Sequence, residues 1–277
     1  MREIFTMWRH TQMVVLVALS AAIYAAFLIV TQGLVIIPGF TNLRPGNVFP
    51  FVFGLLFGPA GAWGAAIGNL INDFFGTLGL GSIAGFVGNF FLGFLPYKMW
   101  GAFFRRGENM EQNTNSGKKL AVYVAIAILA SIICAVWIAW FNDLLGNVPF
   151  TILASIISIN NAIVGVVLGP ILLIVLYPRV KRWGLLWTEI MEPDEVPASR
   201  LQTVGNILMW VGGIGALVVG LLLGSAAGGA PGGLGVGLGL IPFLIAIVVA
   251  SFMLGGREQV EAVQEETITA GRGESRA

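Results

Sequence analysis

Long apolar segments separated by short polar loops constrain the fold of this chain more than any other feature. They fall at roughly 12–37, 48–58, 61–76, 83–104, 119–141, 150–177, 204–225 and 236–255. Charged residues make up 10% of the chain, whereas a soluble domain has about 25%. A helix needs about 20 apolar residues to cross a bilayer. The sequence therefore predicts an all-α integral protein of the plasma membrane with eight spans.

Positively charged residues give the predicted spans an orientation, because basic residues are enriched in cytoplasmic loops. The basic residues near the spans form three groups: Arg2 and Arg9; Lys98, Arg105, Arg106, Lys118 and Lys119; and Arg179, Lys181 and Arg182. The second and third segments are short and are separated by Gly58-Pro59, so they are tilted, kinked or partly re-entrant helices, or one broken pair. Counting both as spans puts the three basic groups and both termini in the cytoplasm.

The chain divides into four parts by composition. Residues 1–180 hold the first six spans, and residues 181–203 form a polar linker whose tryptophans are predicted to lie at the membrane interface. Residues 204–256 carry two additional transmembrane helices that are rich in glycine and poor in polar side chains. Residues 257–277 are polar and lack aromatic residues, so the sequence predicts a disordered cytoplasmic tail.

Polar residues recur within the third and fourth segments, although bare polar groups are costly at membrane depth. Ala65, Asn69 and Asp73 follow one another at a spacing of four, which places them on one face of a helix. Asn72 lies beside them, and Asn89 lies on a similar face of the fourth segment. Two such faces meeting would leave a cleft with amide and carboxylate groups in it. The alternative is that these groups only form hydrogen bonds between helices.

Further polar residues lie at the predicted outer ends of other core segments. Arg44 follows the first segment, between turns that contain proline and glycine, and suits a carboxylate, a phosphate or an electron-rich ring. Its alternatives are a lipid headgroup contact or an ion pair with Asp73. Trp140, near the end of the fifth segment, is either an interfacial residue or a stacking partner for a flat heterocycle. Asn160 and Asn161 point about 100° apart on a helix, so at least one faces the bundle interior.

A stripe of small residues runs along the first segment. Ala18, Ala22 and Ala26 recur every four residues there. Small residues let another helix approach closely within a membrane. The stripe is therefore predicted to contact either a helix of this same chain or a partner membrane protein.

Several classes of function are disfavoured. The chain has no Walker A motif, no G-x-S-x-G and no H-E-x-x-H, and it contains one histidine and one cysteine. We interpret Cys134 as an apolar core residue and His10 as an interfacial cap. The sequence therefore predicts a protein that is not an enzyme and holds no cofactor and no metal. A net charge of +1 gives no indication of nucleic-acid binding.

The chain resembles the substrate-binding S component of energy-coupling-factor (ECF) transporters, which are vitamin-uptake ABC systems. The resemblance covers roughly residues 10–180. It rests on the six-helix core with both of its ends inside and on the alanine stripe of the first helix. It also rests on the block RPGNVFPFVFGLLFGPAGAWGAAIGNLINDFFG, which follows the first outer loop.

The resemblance implies a division of labour between this chain and its partners. A vitamin or related micronutrient would bind outside, and the S component would topple in the membrane to release it inside, while separate ABC ATPase subunits hydrolyse ATP. The first three helices, with Ala18, Ala22 and Ala26, would face the coupling (T) component. The implied substrate-binding residues are Arg44, Asn47, Asn89, Trp140, Asn142, Asn160 and Asn161. The residues implied to close or brace the pocket are Asn69, Asn72 and Asp73.

Other functions stay open at this point. The two glycine-rich spans after the six-helix core depart from the family pattern, and the sequence predicts no role for them. A stand-alone secondary transporter or channel for a small polar solute is the main alternative. A structural or assembly protein without a solute is another. The asparagine, tryptophan and arginine side chains suit a neutral or anionic heterocycle such as a flavin, a pterin or another vitamin.

Overall fold

The protein is a bundle of helices. A computed structural model describes residues 1–38, 41–104 and 107–274. Its helices are α1 Glu3–Thr6, α2 Thr11–Val30, α3 Val48–Phe57, α4 Pro59–Asp73, α5 Gly81–Trp100, α6 Gly117–Leu144, α7 Phe150–Arg182, α8 Trp187–Ile190, α9 Gln202–Ala226, α10 Leu234–Gly239, α11 Ile241–Met253 and α12 Arg257–Glu274. A short antiparallel hairpin joins β1 Val35–Ile37 to β2 Thr41–Asn42.

Each of the eight predicted apolar segments contains a helix, but the helices differ in length. In the described part of the chain, five stretches are long and apolar enough to cross a membrane: Thr11–Val30, Gly117–Leu144, Phe150–Ile190, Gln202–Ala226 and Leu234–Glu265. The ten residues of α3 and the fifteen of α4 rise only about 15 and 22 Å, against about 30 Å of hydrocarbon. Neither is therefore a complete span by itself.

The first helix is shorter than predicted. The sequence predicted it to run to about Ile37, but α2 ends at Val30 and the β1–β2 hairpin follows. The hydroxyl of Thr31 donates to the carbonyl of Phe27 over 2.7 Å at the end of the helix. The next apolar run, which includes Val35 and Ile37, is rich in β-branched residues, and these favour strand over helix.

Glycines bring α3, α4 and α5 together in the centre of the bundle. The chain turns from α3 into α4 at Gly58, whose φ of 57° is a left-handed value that glycine adopts without strain. A side chain on Gly54 would overlap the carbonyl of Gly93 in α5, and one on Gly61 would overlap the carbonyl of Phe53. The second and third predicted segments are thus one broken pair. The pair packs against α5, and α2 covers α4.

The two C-terminal spans pack together and against one side of the core. Helices α9 and α11 contact each other, α9 also contacts α6 and α7, and α10 contacts α6. A side chain on Gly212 would lie 2.9 Å from Cγ1 of Ile247, so α9 and α11 are in close contact there. We refer to α9–α11 as the extension.

Charged residues gather at one end of the bundle, where α5 and α7 end and α6 begins. Lys98 forms a fully buried ion pair with Glu3, and His10 pairs with Glu195 over 2.6 Å. Glu111 binds Lys181 over 2.5 Å. Burial alone would raise the pKa of Glu111. The hydrogen bonds from Lys181 and Tyr177 have a larger, opposite effect and lower this pKa to about 2. Arg105 and Arg106 of the second basic group lie outside the described residues.

The linker and the tail differ from what the sequence predicted. Trp187 of the linker is completely buried rather than interfacial. It fits against Gly58, where an added Cβ would come within 2.5 Å of the indole. The start of the predicted disordered tail is helix α12, which buries Gln259 and Val260 completely or nearly so. The amide of Gln259 donates to the carbonyl of Tyr97 over 3.1 Å, so tertiary contacts order a segment whose composition alone disfavours order.

Candidate functional site

A cavity of about 460 Å³ opens at the end of the bundle opposite the charged end. It lies where α4 ends, α5 begins and α6 turns into α7. Among the described residues, its lining contains one guanidinium, Arg44, and one carboxylate, Asp73. Seven lining residues are asparagines: Asn47, Asn69, Asn89, Asn142, Asn147, Asn160 and Asn161. The cavity therefore offers many neutral hydrogen-bonding groups and one charge of each sign.

A buried tyrosine links the asparagines that come from different helices. The hydroxyl of Tyr24 lies 2.8 Å from Oδ1 of Asn47 and 2.8 Å from Oδ1 of Asn89. Nδ2 of Asn47 donates in turn to Oδ1 of Asn161. All four residues are at most 3% exposed. Because buried polar groups without partners are costly, this network fixes the three amides in place before any solute arrives.

Asn69 stands between the two charges of the cavity. Nη1 of Arg44 donates to Oδ1 of Asn69 over 2.8 Å, and Nδ2 of Asn69 donates to Oδ2 of Asp73 over 3.3 Å. The hydroxyl of Thr77 donates to the other carboxylate oxygen over 3.0 Å. Arg44 and Asp73 are thus joined through an amide instead of by the direct ion pair considered from the sequence. Both charged groups keep capacity for a further hydrogen bond.

Glycines in the first half of α5 leave room for the cavity's amides. A Cβ on Gly85 would lie 2.9 Å from Nδ2 of Asn69, and one on Gly81 would lie 2.8 Å from Oδ1 of Asn142. The backbone carbonyl of Gly85 also accepts a 2.8 Å hydrogen bond from Nδ2 of Asn89. Gly81 and Gly85 therefore line the site themselves.

The turn between α6 and α7 forms a rigid wall of the cavity. The N–H of Asn147 donates to the carbonyl of Asn142 over 2.9 Å, and the N–H of Gly146 donates to the carbonyl of Asp143 over 2.8 Å. These two bonds around a left-handed glycine (φ 73° at Gly146) make a Schellman motif. Oδ2 of Asp143 accepts the N–H of Phe150 at the start of α7. The side-chain amide of Asn147 also donates to Oδ1 of Asn142 over 3.2 Å.

The structure brings most of the predicted site residues together. The cavity lining contains Arg44, Asn47, Asn89, Asn142, Asn160 and Asn161, which were predicted to bind substrate, and Asn69 and Asp73, which were predicted to close or brace the pocket. Asn72 lies outside the lining, where its side chain and backbone carbonyl accept hydrogen bonds from Gln32. Trp140 also lies outside it, because its indole turns away and donates to the carbonyl of Gly237 over 2.9 Å.

Several residues of the site were missed by the sequence analysis. Tyr24 carries a hydroxyl within the apolar stretch AAIYAAF of the first helix, a signal that could have identified it. Cys134 is buried as predicted, but it lines the cavity and accepts a hydrogen bond from Asn161 over 3.7 Å. Ser82 and Asn147 lie in or beside loops, where a polar residue carries no such signal.

The alanine stripe faces away from the bundle. Ala18, Ala22 and Ala26 are exposed along α2, whereas Ala21 and Ala25 are buried against the core. The helix contact within this chain is therefore made by Ala21 and Ala25 and not by the stripe. The stripe itself presents a smooth apolar surface to the surroundings of the bundle.

A multi-pass helical protein with a polar cavity at one end belongs to the class of membrane proteins that bind a small solute. A comparison with protein families gives the finer assignment. The family model described as QueT transporter matches residues 14–178. The chain belongs to this family, which is one of ECF transporter S components and not of enzymes. No curated protein and no solved structure matches the chain.

Proposed function

We propose that this S component captures a queuosine precursor, a deazaguanine base, in the cavity next to Arg44. The QueT transporter family, to which residues 14–178 belong, is known for this class of substrate. The cavity volume of about 460 Å³ lies within the range of about 300–1,000 Å³ that is usual for small-molecule sites. The observation that carries the proposal is the cluster of seven asparagines around one arginine and one aspartate.

The chemistry of the lining suits the edge of a guanine-like base. Such an edge presents N–H and amino donors beside a carbonyl acceptor, and a carboxylate accepts from the donors while arginine donates to the carbonyl. Asp73 and Arg44 supply these groups, and asparagine amides supply both donors and acceptors. Among the described residues, no aromatic side chain lines the cavity. Recognition therefore rests on hydrogen bonds to the edge of the base instead of the stacking that Trp140 was predicted to provide.

The charged end of the bundle faces the cytoplasm in this proposal, and the cavity opens outward. The orientation is supported by the basic residues Lys98, Lys119 and Lys181, which the ion pairs bring to one end. Both termini are then cytoplasmic. The T component and two ABC ATPases supply the energy, and the exposed stripe on α2 is the surface that meets the T component.

The test is calorimetric binding of a deazaguanine base to the purified protein, with guanine, a pterin and a flavin as comparison ligands. Arg44→Ala is expected to weaken binding at least about five-fold, because it removes a charge-assisted hydrogen bond of about 1 kcal/mol or more. Unchanged affinity in this variant would remove Arg44 from the site. Absence of binding to the unaltered protein would contradict the proposed substrate.

A second assay tests the alternative function, a stand-alone transporter. Proteoliposomes that contain only this chain are expected to bind the base without accumulating it. Uptake by this chain alone, without ATPase subunits, would instead support a secondary transporter or channel.

A further inference from the structure

We propose that the extension, α9–α11, is a positioning element for the solute cavity. It holds the turn between α6 and α7, whose Asn142 and Asn147 line the cavity. The extension lies outside the residues matched by the family model, which end at 178. The inference rests on the proposed function, because it assumes that the cavity binds the solute.

The turn between α6 and α7 has two sides. Asn142, Leu145 and Asn147 line the cavity. Leu144 and Gly146, which lie between these residues in the sequence, contact the extension instead. A side chain on Gly237 of α10 would lie 3.1 Å from Cδ1 of Leu144, and Gly146 is met by the loop before α10. The same short turn thus touches the solute space on one side and the extension on the other.

A directed hydrogen bond ties α6 to the extension next to this turn. Nε1 of Trp140 donates to the carbonyl of Gly237 over 2.9 Å. Gly237 belongs to the last turn of α10, which ends at Gly239. Backbone carbonyls in the last turn of a helix lose their intrahelical partners. Trp140 supplies the missing donor, so the bond fixes α6 and α10 in one relative position, two residues from Asn142.

The loop between α9 and α10 covers the turn itself. A Cβ on Gly232 would lie 3.6 Å from Cα of Gly146 and 4.0 Å from the carbonyl oxygen of Asp143. Both residues take part in the Schellman motif that shapes the cavity wall. A methyl group would just fit between the two backbones, so the loop lies directly over the turn and limits how far it can move outward.

Helix α9 packs closely against the first turn of α7. A side chain on Gly220 would overlap the ring of Phe150, and one on Gly224 would lie 2.9 Å from Cγ2 of Thr151. The N–H of Phe150 is bonded to the carboxylate of Asp143 over 2.8 Å. The extension therefore supports both ends of the turn, α10 at the end of α6 and α9 at the start of α7.

This arrangement makes the placement of Asn142 and Asn147 depend on contacts that touch no solute. A solute that hydrogen-bonds these amides binds best when the wall is already in place, because ordering the wall on binding would cost affinity. Variants that loosen the contact between α10 and α6 should therefore weaken binding although they change no cavity-lining residue.

The experiment compares Trp140→Phe and Gly237→Leu with the unaltered full-length protein. Trp140→Phe keeps an aromatic ring but removes the N–H donor, and Gly237→Leu pushes α10 away from Leu144. Each variant is expected to weaken the affinity for the deazaguanine base by about five-fold, the scale of one lost hydrogen bond. Trp183→Phe is the matched control, because Trp183 is 66% exposed at the far end of α7.

Affinity is measured by calorimetry well below the melting temperature of the solute-free variants, which is recorded separately. A purely structural contact would lower the melting temperature and leave the affinity unchanged, and that result would overturn the inference while the proposed function stands. Failure of the unaltered protein to bind would overturn both. Weaker binding by both variants, with Trp183→Phe unchanged, is the expected result.

Discussion

Tyr24 connects two asparagines of the cavity that come from different parts of the chain. Its hydroxyl contacts two asparagines from two different elements, Asn47 before α3 and Asn89 in α5. A hydroxyl carries one proton, so it donates to one of these amides at a time. The phenol therefore connects α2 with the cavity wall, and its removal should disturb the positions of both asparagines.

We predict that Tyr24→Phe weakens solute binding and lowers the free energy of unfolding by about 1–3 kcal/mol, because a buried amide oxygen loses its hydrogen-bond donor. The matched control is Tyr123→Phe. Tyr123 is similarly buried and donates to the carbonyl of Gly165 over 3.1 Å, but Gly165, unlike the asparagines bonded to Tyr24, does not line the cavity. Calorimetry and thermal unfolding should show that both variants lose stability and that only Tyr24→Phe loses affinity. Equal affinity in the two variants would contradict the role given to Tyr24.

The individual site residues were predictable to different degrees. An asparagine inside an apolar helix needs a partner, so Asn89 and Asn161 could be identified from the sequence alone. Trp140 could not be placed. Its position at the end of a helix suited both an interface and a cavity, and the choice is made by its hydrogen bond to Gly237, almost a hundred residues away.

At the scale of elements, glycine contacts determine how α3, α4 and α5 pack. Gly54 of α3 faces the carbonyl of Gly93, so the backbones of α3 and α5 touch. Backbone atoms cannot move aside as the end of a flexible side chain can. This crossing holds the broken pair against the helix that carries Gly81, Gly85 and Asn89.

We predict that Gly54→Ala lowers the free energy of unfolding by about 1–3 kcal/mol or more, the usual cost of forcing a methyl group into a packed interior. Thermal unfolding in detergent gives the measurement. Gly235→Ala in α10 is the control, because a Cβ there meets nothing within 4 Å. It should leave stability unchanged or raise it slightly. A loss of stability as large in the control as in Gly54→Ala would argue against the crossing.

The positions of the helices were predictable, because apolar runs of this length leave few other structures in a membrane. Their ends and pairings were not. The early end of α2 depends on a local competition between helix and hairpin over Val35–Ile37. The helical tail α12 depends on contacts such as Gln259 with Tyr97, which composition does not encode.

At the scale of the whole molecule, the alanine stripe and the extension occupy different helices of the bundle. The stripe lies on α2, which packs against α4, whereas the extension packs against α6 and α7. The additional spans therefore leave Ala18, Ala22 and Ala26 exposed. The departure from the family pattern is compatible with a T component on α2.

We predict that Ala22→Trp abolishes energised uptake without changing solute affinity, because a bulky side chain keeps a second helix from approaching the stripe. Uptake is measured with the coupling and ATPase subunits present, and affinity with this chain alone. Ile174→Trp is the control, since Ile174 is 64% exposed on α7, away from the stripe. Normal uptake by Ala22→Trp would exclude the stripe as the coupling surface, and reduced uptake by both variants would indicate a general effect on assembly in the membrane.

The single guanidinium and single carboxylate of the cavity also bear on the response of the protein to membrane voltage. Moving one elementary charge through the bilayer involves about 2.3 kcal/mol per 100 mV. Arg44 and Asp73, joined through Asn69, together carry no net charge. If the cavity holds an uncharged base, as proposed, its reorientation across the bilayer moves no net charge of the site. We therefore expect solute capture and delivery to be equal in energised and depolarised cells.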